Sequence, residues 1–212
     1  MILIPVKDSS TAKQRLAPIL DQPQRTRLAQ AMLLDVLTEL HRWKDRPAVA
    51  LVTGDAYAQS LAKKFGFEVI PDPANPGETG AIEMATQVCV ERGTQWTMVI
   101  PADIPMVRAA ELEEVLRQAP GAGSVLVPAG DGRGTNAAFR RPANLFPLRF
   151  GNDSFKPHHA AALATGKPCL VLRLPYIGVD VDNPEDLASL ASLPGDTRSQ
   201  VLARELLARG KR

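Results

Sequence analysis

The stretch from Ile2 to Val52, ILIPVKDSSTAKQRLAPILDQPQRTRLAQAMLLDVLTELHRWKDRPAVALV, decides the fold. It opens with the apolar run Ile2–Val6, passes through a polar loop, and then turns strongly periodic. Leu28, Met32, Leu33, Val36, Leu37 and Leu40 recur at helical spacing between Gln24 and Arg42 and make one apolar stripe. Asp21 and Pro23 stand before it as cap and first-turn residues. A second apolar run, Ala48–Val52, closes the unit. Strand, amphipathic helix, strand is a right-handed crossover onto a parallel sheet.

Working outward, the rhythm repeats. Further short runs rich in Val, Ile and Leu lie at Phe67–Ile70, Thr97–Ile100, Ser124–Val127, Cys169–Leu172 and Ile177–Val181, as covered parallel strands do. Helices are predicted at Ala56–Phe65, Thr79–Arg92, Ala109–Gln118, Ser154–Thr165, Glu185–Leu193 and Ser199–Arg209. One region departs from this alternation. Ser124–Arg141 reads strand, Gly130-Asp131-Gly132-Arg133-Gly134, strand, and an Asp-Gly turn between apolar runs signals a hairpin. The reading is an α/β fold in one domain, 1–212, with a mostly parallel central sheet and a β-hairpin insertion.

Composition narrows the function. The chain has 212 residues, 45% hydrophobic and 23% charged, which excludes a disordered chain. Its 18 prolines are scattered without repeat, which excludes collagen-like and polyproline forms. The net charge is +2, and residues 196–212 carry five basic against two acidic residues, which leaves the body near neutral. That is no nucleic-acid surface, and the tail reads as a solvated amphipathic helix. No run approaches a membrane span, and the short N-terminal apolar run has neither basic n-region nor cleavage site. Cys89 and Cys169 form no CxxC and suit a reducing cytoplasm.

In an open α/β sheet, ligands bind beyond the carboxyl ends of the strands, so the loops after Val6, Val52, Ile70, Ile100, Val127 and Val179 matter most. Lys7-Asp8-Ser9-Ser10-Thr11-Ala12-Lys13-Gln14-Arg15-Leu16 offers cations and hydroxyls that can wrap a polyphosphate, without the glycines of a Walker or dinucleotide loop. The same stretch would serve as an exposed polar loop. Pro101-Ala102-Asp103-Ile104-Pro105 sets a carboxylate just past a buried strand end, suited to a cation or to a plain turn. In Gly178-Val179-Asp180-Val181-Asp182-Asn183-Pro184, a strand would put Asp180 and Asp182 on one face. Two carboxylates that close repel unless a divalent cation lies near them. Asp182 or Asn183 would equally cap the helix begun by Pro184, which leaves Asp180 unexplained.

Gly134-Thr135-Asn136 and Phe150-Gly151-Asn152-Asp153-Ser154-Phe155 are polar knots. Thr135 and Ser154 offer hydroxyl donors, Gly151 lets backbone N–H groups approach an anion, and Ser154 starts a helix. An ordinary hairpin turn and N-cap would use the same residues. His41, His158 and His159 form no metal pattern; one of the adjacent pair, taken as His158, would approach a ligand beside Ser154. No Ser/His/Asp or Cys/His set suggests a nucleophile.

Together, PVKDSSTAKQRLAPIL, PADIPMV, GTNAAFRRP, FGNDSFKPHHAAA and GVDVDNPEDL resemble the CofC/FbiD-type guanylyltransferases of coenzyme F-420 biosynthesis, in order from Ile4 to about Leu187. The resemblance implies a Rossmann-like nucleotidyltransferase fold that joins GMP from GTP to 2-phospho-L-lactate, phosphoenolpyruvate or 3-phospho-D-glycerate and releases pyrophosphate. It implies that Asp103, Asp180 and Asp182 hold Mg²⁺, with Asp103 counted among the catalytic groups. It implies that Lys13 and Arg15 meet the GTP phosphates, and that Thr135, Gly151 and Ser154 bind the phospho-acid. Lys7 and His158 join the substrate-binding candidates. Partners are then GTP and the acid, with no nucleic acid or membrane. A homodimer, and hand-over of product to the next enzyme, are compatible with it. One stretch departs from the family: where relatives carry a GLNAAL-like run, this chain reads Glu78-Thr79-Gly80-Ala81-Ile82-Glu83-Met84-Ala85, without the Asn. That bears on base or acceptor recognition, not on the reaction type. The guanine readers are then sought in Asp72–Gly80 and the helix after it.

Two other readings stand beside this one. A cytidylyl- or nucleotidyltransferase for another acceptor, such as a molybdopterin or a sugar phosphate, typically has a Gly-rich, Lys/Arg-containing loop after its first strand, and Lys7–Leu16 has no Gly. A non-catalytic nucleotide-binding module has no evident need of three Asp positions.

Overall fold

The computed structural model describes residues 1–72, 77–151 and 153–209. Seven strands form one sheet in the order β3-β2-β1-β4-β6-β5-β7. They are β1 (Ile2–Val6), β2 (Val49–Thr53), β3 (Glu68–Pro71), β4 (Thr97–Val99), β5 (Gly123–Pro128), β6 (Thr135–Arg141) and β7 (Cys169–Val171). β1 pairs in parallel with β2 and β4, β2 with β3, and β5 with β7. Only β6 runs the other way, antiparallel to both β4 and β5. The hairpin read in the sequence is therefore an insertion that brings the start of β6 to the carboxyl edge of its parallel neighbours.

The helices are α1 (Gln22–Arg42), α2 (Ala56–Phe65), α3 (Glu78–Glu91), α4 (Ala109–Gln118), α5 (Phe155–Ala164), α6 (Pro184–Ser192) and α7 (Arg198–Arg209). α1 starts where its chemistry says it should. The Asp21 carboxylate accepts from the Gln24 N–H and the Gln24 side chain accepts from the Asp21 N–H, a capping box. The whole predicted stripe from Leu28 to Leu40 is buried. Two apolar layers sandwich the sheet, one centred on Ile2, Ile4, Leu51 and Phe139, the other on Leu3, Val52, Val99 and Ala138. This alternation along β1 follows from the two-residue side-chain period of a strand.

The tail is amphipathic but more firmly docked than a solvated helix. Leu202, Ala203 and Leu206 of α7 pack with Leu28 and Met32 of α1 and Leu187 and Leu190 of α6. Asp35, buried on α1, accepts from the N–H groups of Arg198 and Ser199 at 3.1 and 2.8 Å and from the Ser199 hydroxyl at 2.7 Å. One helix thus caps another across the third core cluster.

The expected strand Ile177–Val181 is not one. Residues 175–178 form a turn and 179–182 are irregular. Glu111 of α4 takes the Tyr176 and Ile177 N–H groups at 3.0 and 2.7 Å, and the Gly178 N–H closes onto Leu174 O at 2.9 Å. With those donors spent, no ladder can form. Ile177 and Val181 are nonetheless fully buried, which is why the apolar alternation read as a strand. Among the described residues no helix is long and apolar enough to cross a membrane.

Candidate active site

A cleft of about 650 Å³ opens along the carboxyl edge of the sheet. It collects the loop after β1, the start of α2, the segment after β4, the β5–β6 turn, the approach to α5 and the approach to α6. The loop after β1 is not loose. It makes two 3₁₀ turns, Ser9–Thr11 and Gln14–Leu16. The Asp55 carboxylate accepts from the Ser9 N–H and hydroxyl at 3.0 and 3.1 Å, and the Thr26 hydroxyl donates to Ser9 O.

Between the two turns Lys13 takes a left-handed backbone conformation, φ 55°. Such a conformation is strained for a residue with a Cβ and persists only where surrounding contacts hold it. Here the contacts are ionic. The Lys13 ammonium lies 2.5 Å from Asp103 Oδ2 and 2.9 Å from Asp182 Oδ1. Burial alone would lower its pKa, but the two carboxylates outweigh burial and hold the ammonium above the ordinary lysine range. Burial likewise pushes Asp182 up, and Lys13 with Arg15 reverses it, so that carboxyl stays below its usual range. Arg15 sits 3.6 Å from Asp182 Oδ2.

Asp180 is placed differently. Asn136, second residue of β6, donates through Nδ2 to Ile177 O at 2.9 Å and to Asp180 Oδ1 at 3.2 Å. The Gly130 N–H donates to Gly178 O at 2.8 Å, and a Cβ on Gly130 would come within 3.0 Å of that oxygen. Hairpin and loop are thus stitched together, and Asp180 and Asp182 reach the same cleft without a strand between them. Asn183 accepts the Asp186 N–H and caps α6, while Asp186 fixes the Asp182 and Asn183 N–H groups. That frees the Asp182 side chain for the cleft. Burial first, then Asp103 and Asp182, push the Asp180 carboxyl up to about 6 against the Asn136 hydrogen bond.

Asp103, Asp180 and Asp182 bring carboxylate oxygens, the hard donor type that Mg²⁺ takes, to one cleft. Their mutual repulsion, visible at Asp180, is what a divalent cation would relieve. As placed, no three or more His, Cys, Asp or Glu side chains among the described residues are grouped so that they could hold a metal ion. The Lys13 ammonium bridges Asp103 and Asp182 instead.

The opposite wall is neutral and donor-rich. Thr135 opens β6, Ser154 precedes α5, and both are buried at the cleft margin. Ser154 occupies the N-cap position without making a cap bond; its hydroxyl turns 3.4 Å toward Thr135 Oγ1. Gly151 has φ 137°, and a Cβ there would meet no atom within 4 Å, because it would project into open space. The preceding residue is anchored: the Thr79 hydroxyl accepts from the Phe150 N–H at 3.0 Å and donates to Phe150 O at 3.2 Å. Arg133 pairs with Asp153 at 2.5 Å on the cleft rim.

Of the candidates read from the sequence, Lys7, Lys13, Arg15, Asp103, Thr135, Gly151, Ser154, Asp180 and Asp182 all line this one cleft. His158 does not; it is buried behind Thr135, with Nδ1 2.9 Å from the Thr135 hydroxyl. Of the loop expected to read guanine, residues 73–76 lie outside the described residues, as does Asn152 in the second polar knot. Glu78 lines the cleft 3.7 Å from Lys7, its carboxyl raised by burial and by Asp103. Sequence reasoning missed Asn136 and Glu111, which act by holding the loop that carries Asp180. Asn136 lay inside a quoted motif, and only its partner 44 residues away reveals its use.

Comparison with known proteins adds four findings. The family described as "Guanylyl transferase CofC like" matches residues 1–208. A phosphoenolpyruvate guanylyltransferase of Roseiflexus castenholzii is 35% identical over 98% of this chain and 95% of its own length. A 2-phospho-L-lactate guanylyltransferase of Methanothermobacter thermautotrophicus is 32% identical over 96% and 89%. In three dimensions, a crystal structure from Desulfovibrio desulfuricans G20, named as a nucleotide-diphospho-sugar transferase, superposes with a TM-score of 0.77 at 20% identity, covering 99% of this chain and 96% of that one. At that identity the likeness speaks for the fold alone.

Proposed function

The chain belongs to the CofC-like guanylyl transferase family, and we propose that it moves GMP from GTP onto the phosphate of a small phospho-acid, releasing pyrophosphate. The acid is phosphoenolpyruvate, 2-phospho-L-lactate or 3-phospho-D-glycerate. One observation carries the reading: a single cleft sets a cation-and-carboxylate wall, Lys13 with Asp103 and Asp182, against a wall of hydroxyls and open backbone at Thr135, Ser154 and Gly151.

The chemistry suits those groups. An oxygen of the acid's phosphate attacks the α-phosphorus of GTP, and the bond to the β-phosphate oxygen breaks as pyrophosphate leaves. The nucleophile is already anionic at neutral pH, so no general base is required. What is required is neutralisation of converging negative charge and in-line placement. Lys13, Arg15 and Lys7 supply positive charge toward the triphosphate. Thr135, Ser154 and the backbone at Gly151 hold the acid. Mg²⁺, held by Asp103, Asp180 and Asp182, would neutralise phosphate charge and template the two substrates. Binding it asks Lys13 to yield at least part of its hold on Asp103 and Asp182 and to turn its ammonium toward the triphosphate.

The resemblance read from the sequence supports a role for this reaction in coenzyme F-420 assembly, and two free thiols suit the cytoplasm. The glycine-free loop Lys7–Leu16 speaks against a cytidylyltransferase of the Gly-rich-loop type. The test is pyrophosphate release from GTP, with and without Mg²⁺, in the presence of each acid. Release needing both metal and acid supports the reading; GTP binding without release would make the chain a binding module.

A further inference from the structure

His158 reaches no open part of the cleft, yet both of its ring nitrogens are engaged. The ring is 1% exposed. The Arg149 backbone N–H points at Nε2 over 2.7 Å, and Nδ1 lies 2.9 Å from Thr135 Oγ1. A backbone N–H can only donate, so Nε2 must present its lone pair. Burial, with the charge of Arg140 adding to it, lowers the ring's pKa to about 4, so the imidazole is neutral. A neutral imidazole has one proton, and with Nε2 accepting it resides on Nδ1. Nδ1–H therefore donates to Thr135 Oγ1. The Ser154 hydroxyl donates to the same oxygen at 3.4 Å. A hydroxyl oxygen has two lone pairs and one hydrogen. With both lone pairs addressed from the protein side, the Thr135 hydrogen is left over, and Thr135 lines the cleft.

We propose that His158 is a positioning residue that fixes the Thr135 hydroxyl as a donor into the acceptor subsite, so that this point of the subsite takes an anionic, acceptor-only oxygen. The same ring holds Arg149, two residues before Gly151, and so sets the Gly151 backbone and the Thr135 hydroxyl at one fixed separation. The polarity of the hydroxyl follows from the hydrogen bonds alone; that the oxygen it meets belongs to a phospho-acid rests on the guanylyl-transfer reading above.

Two measurements test this separately. The first is heteronuclear NMR on protein carrying ¹⁵N-labelled histidine at pH 7, with His158 assigned by its loss in His158→Asn. It should show a protonated, pyrrole-type Nδ1 and an unprotonated, pyridine-type Nε2. A proton on Nε2, or an imidazolium, overturns the proposal whatever the enzyme does. The second is steady-state kinetics with GTP and phosphoenolpyruvate, with the other two acids as parallel probes. His158→Leu removes the donor to Thr135, and His158→Asn returns an N–H near the Nδ1 position. The leucine variant should raise the KM for the acid about tenfold, the loss of one oriented hydrogen bond, while the KM for GTP moves less than about twofold. The asparagine variant should recover most of that loss. Thr135→Val should cost as much as His158→Leu, and the pair together little more than either. If both His158 variants move kcat and both KM values alike, the histidine is merely structural and the proposal falls. If wild type turns over none of the three acids, guanylyl transfer is what has failed, and the tautomer measurement still decides the hydroxyl.

Discussion

Replacing Asp180 by Asn should make the metal-free protein more stable and leave it inactive. The Asp180 carboxyl stands at about 6 against an ordinary 3.8, raised by burial and by Asp103 and Asp182. Two pH units correspond to about 3 kcal/mol at 1.36 kcal/mol per unit. The side chain is only partly buried, so solvent screening reduces the usable figure to about 1–2 kcal/mol. The sign follows from proton binding. The folded state holds the Asp180 proton more tightly than the unfolded chain, so ionising it costs stability as pH rises from about 4 to about 6, and the full cost stands above that. Below about pH 4 the group is neutral in both states and the cost disappears. Asparagine keeps an oxygen to accept from Asn136 Nδ2 but has no charge to pay for. Thermal melts in chelator at pH 7.5 should place Asp180→Asn about 2–8 °C above wild type, at roughly 2–4 °C per kcal/mol for a chain of this size. The gap should close at pH 4. Added Mg²⁺ with GTP should stabilise wild type and much less the variant, whose turnover should fall at least a hundredfold. A variant less stable than wild type in chelator at pH 7.5, or a gain that persists at pH 4, would refute the reasoning.

Other outcomes follow from the same geometry. Ser154→Ala should raise the KM for the acid about tenfold, because it removes the second donor that turns the Thr135 hydroxyl toward the acid, and spare that for GTP. Gly151→Val should be worse, since φ 137° strains any side chain and the new one would fill open cleft space; steady-state kinetics reads both. Lys13→Met should cost about 2 kcal/mol in chelator near neutral pH, because it leaves Asp103 and Asp182 facing each other, with part recovered on adding Mg²⁺. Urea melts measure it. Glu111→Gln keeps one acceptor for the Tyr176 and Ile177 N–H groups and loses the other, and should cost about 1–3 kcal/mol while weakening Mg²⁺ dependence through the Asp180 loop.

How much of this was legible in the sequence follows the range of the interactions. The seven strands from Ile2 to Val171, and α1 with its Asp21 cap, depend on local periodicity and side-chain chemistry within a few residues, and they could be read. Ile177–Val181 could not. Its burial pattern suits a strand, but its backbone donors belong to Glu111, 65 and 66 residues away. Asp180 and Asp182 still meet in the cleft, by way of a stitched loop instead of the pleat that was supposed to align them. Lys13 was legible as a cation and not as a bridge, since its carboxylates lie 90 and 169 residues off. His158 was read as a ligand-facing group because sequence places it one helical turn from Ser154; only the fold shows that Thr135 stands between it and the cleft.

The central claim is transfer of GMP to a phospho-acid in this cleft. The most direct measurement is mass spectrometry of the products after incubating the protein with GTP, Mg²⁺ and each of phosphoenolpyruvate, 2-phospho-L-lactate and 3-phospho-D-glycerate, with CTP in a parallel set. The account predicts a guanosine conjugate joined to one of the acids through a pyrophosphate bridge, equimolar pyrophosphate, and little product from CTP. Equal conversion of CTP, or GTP left intact beside all three acids, would contradict it.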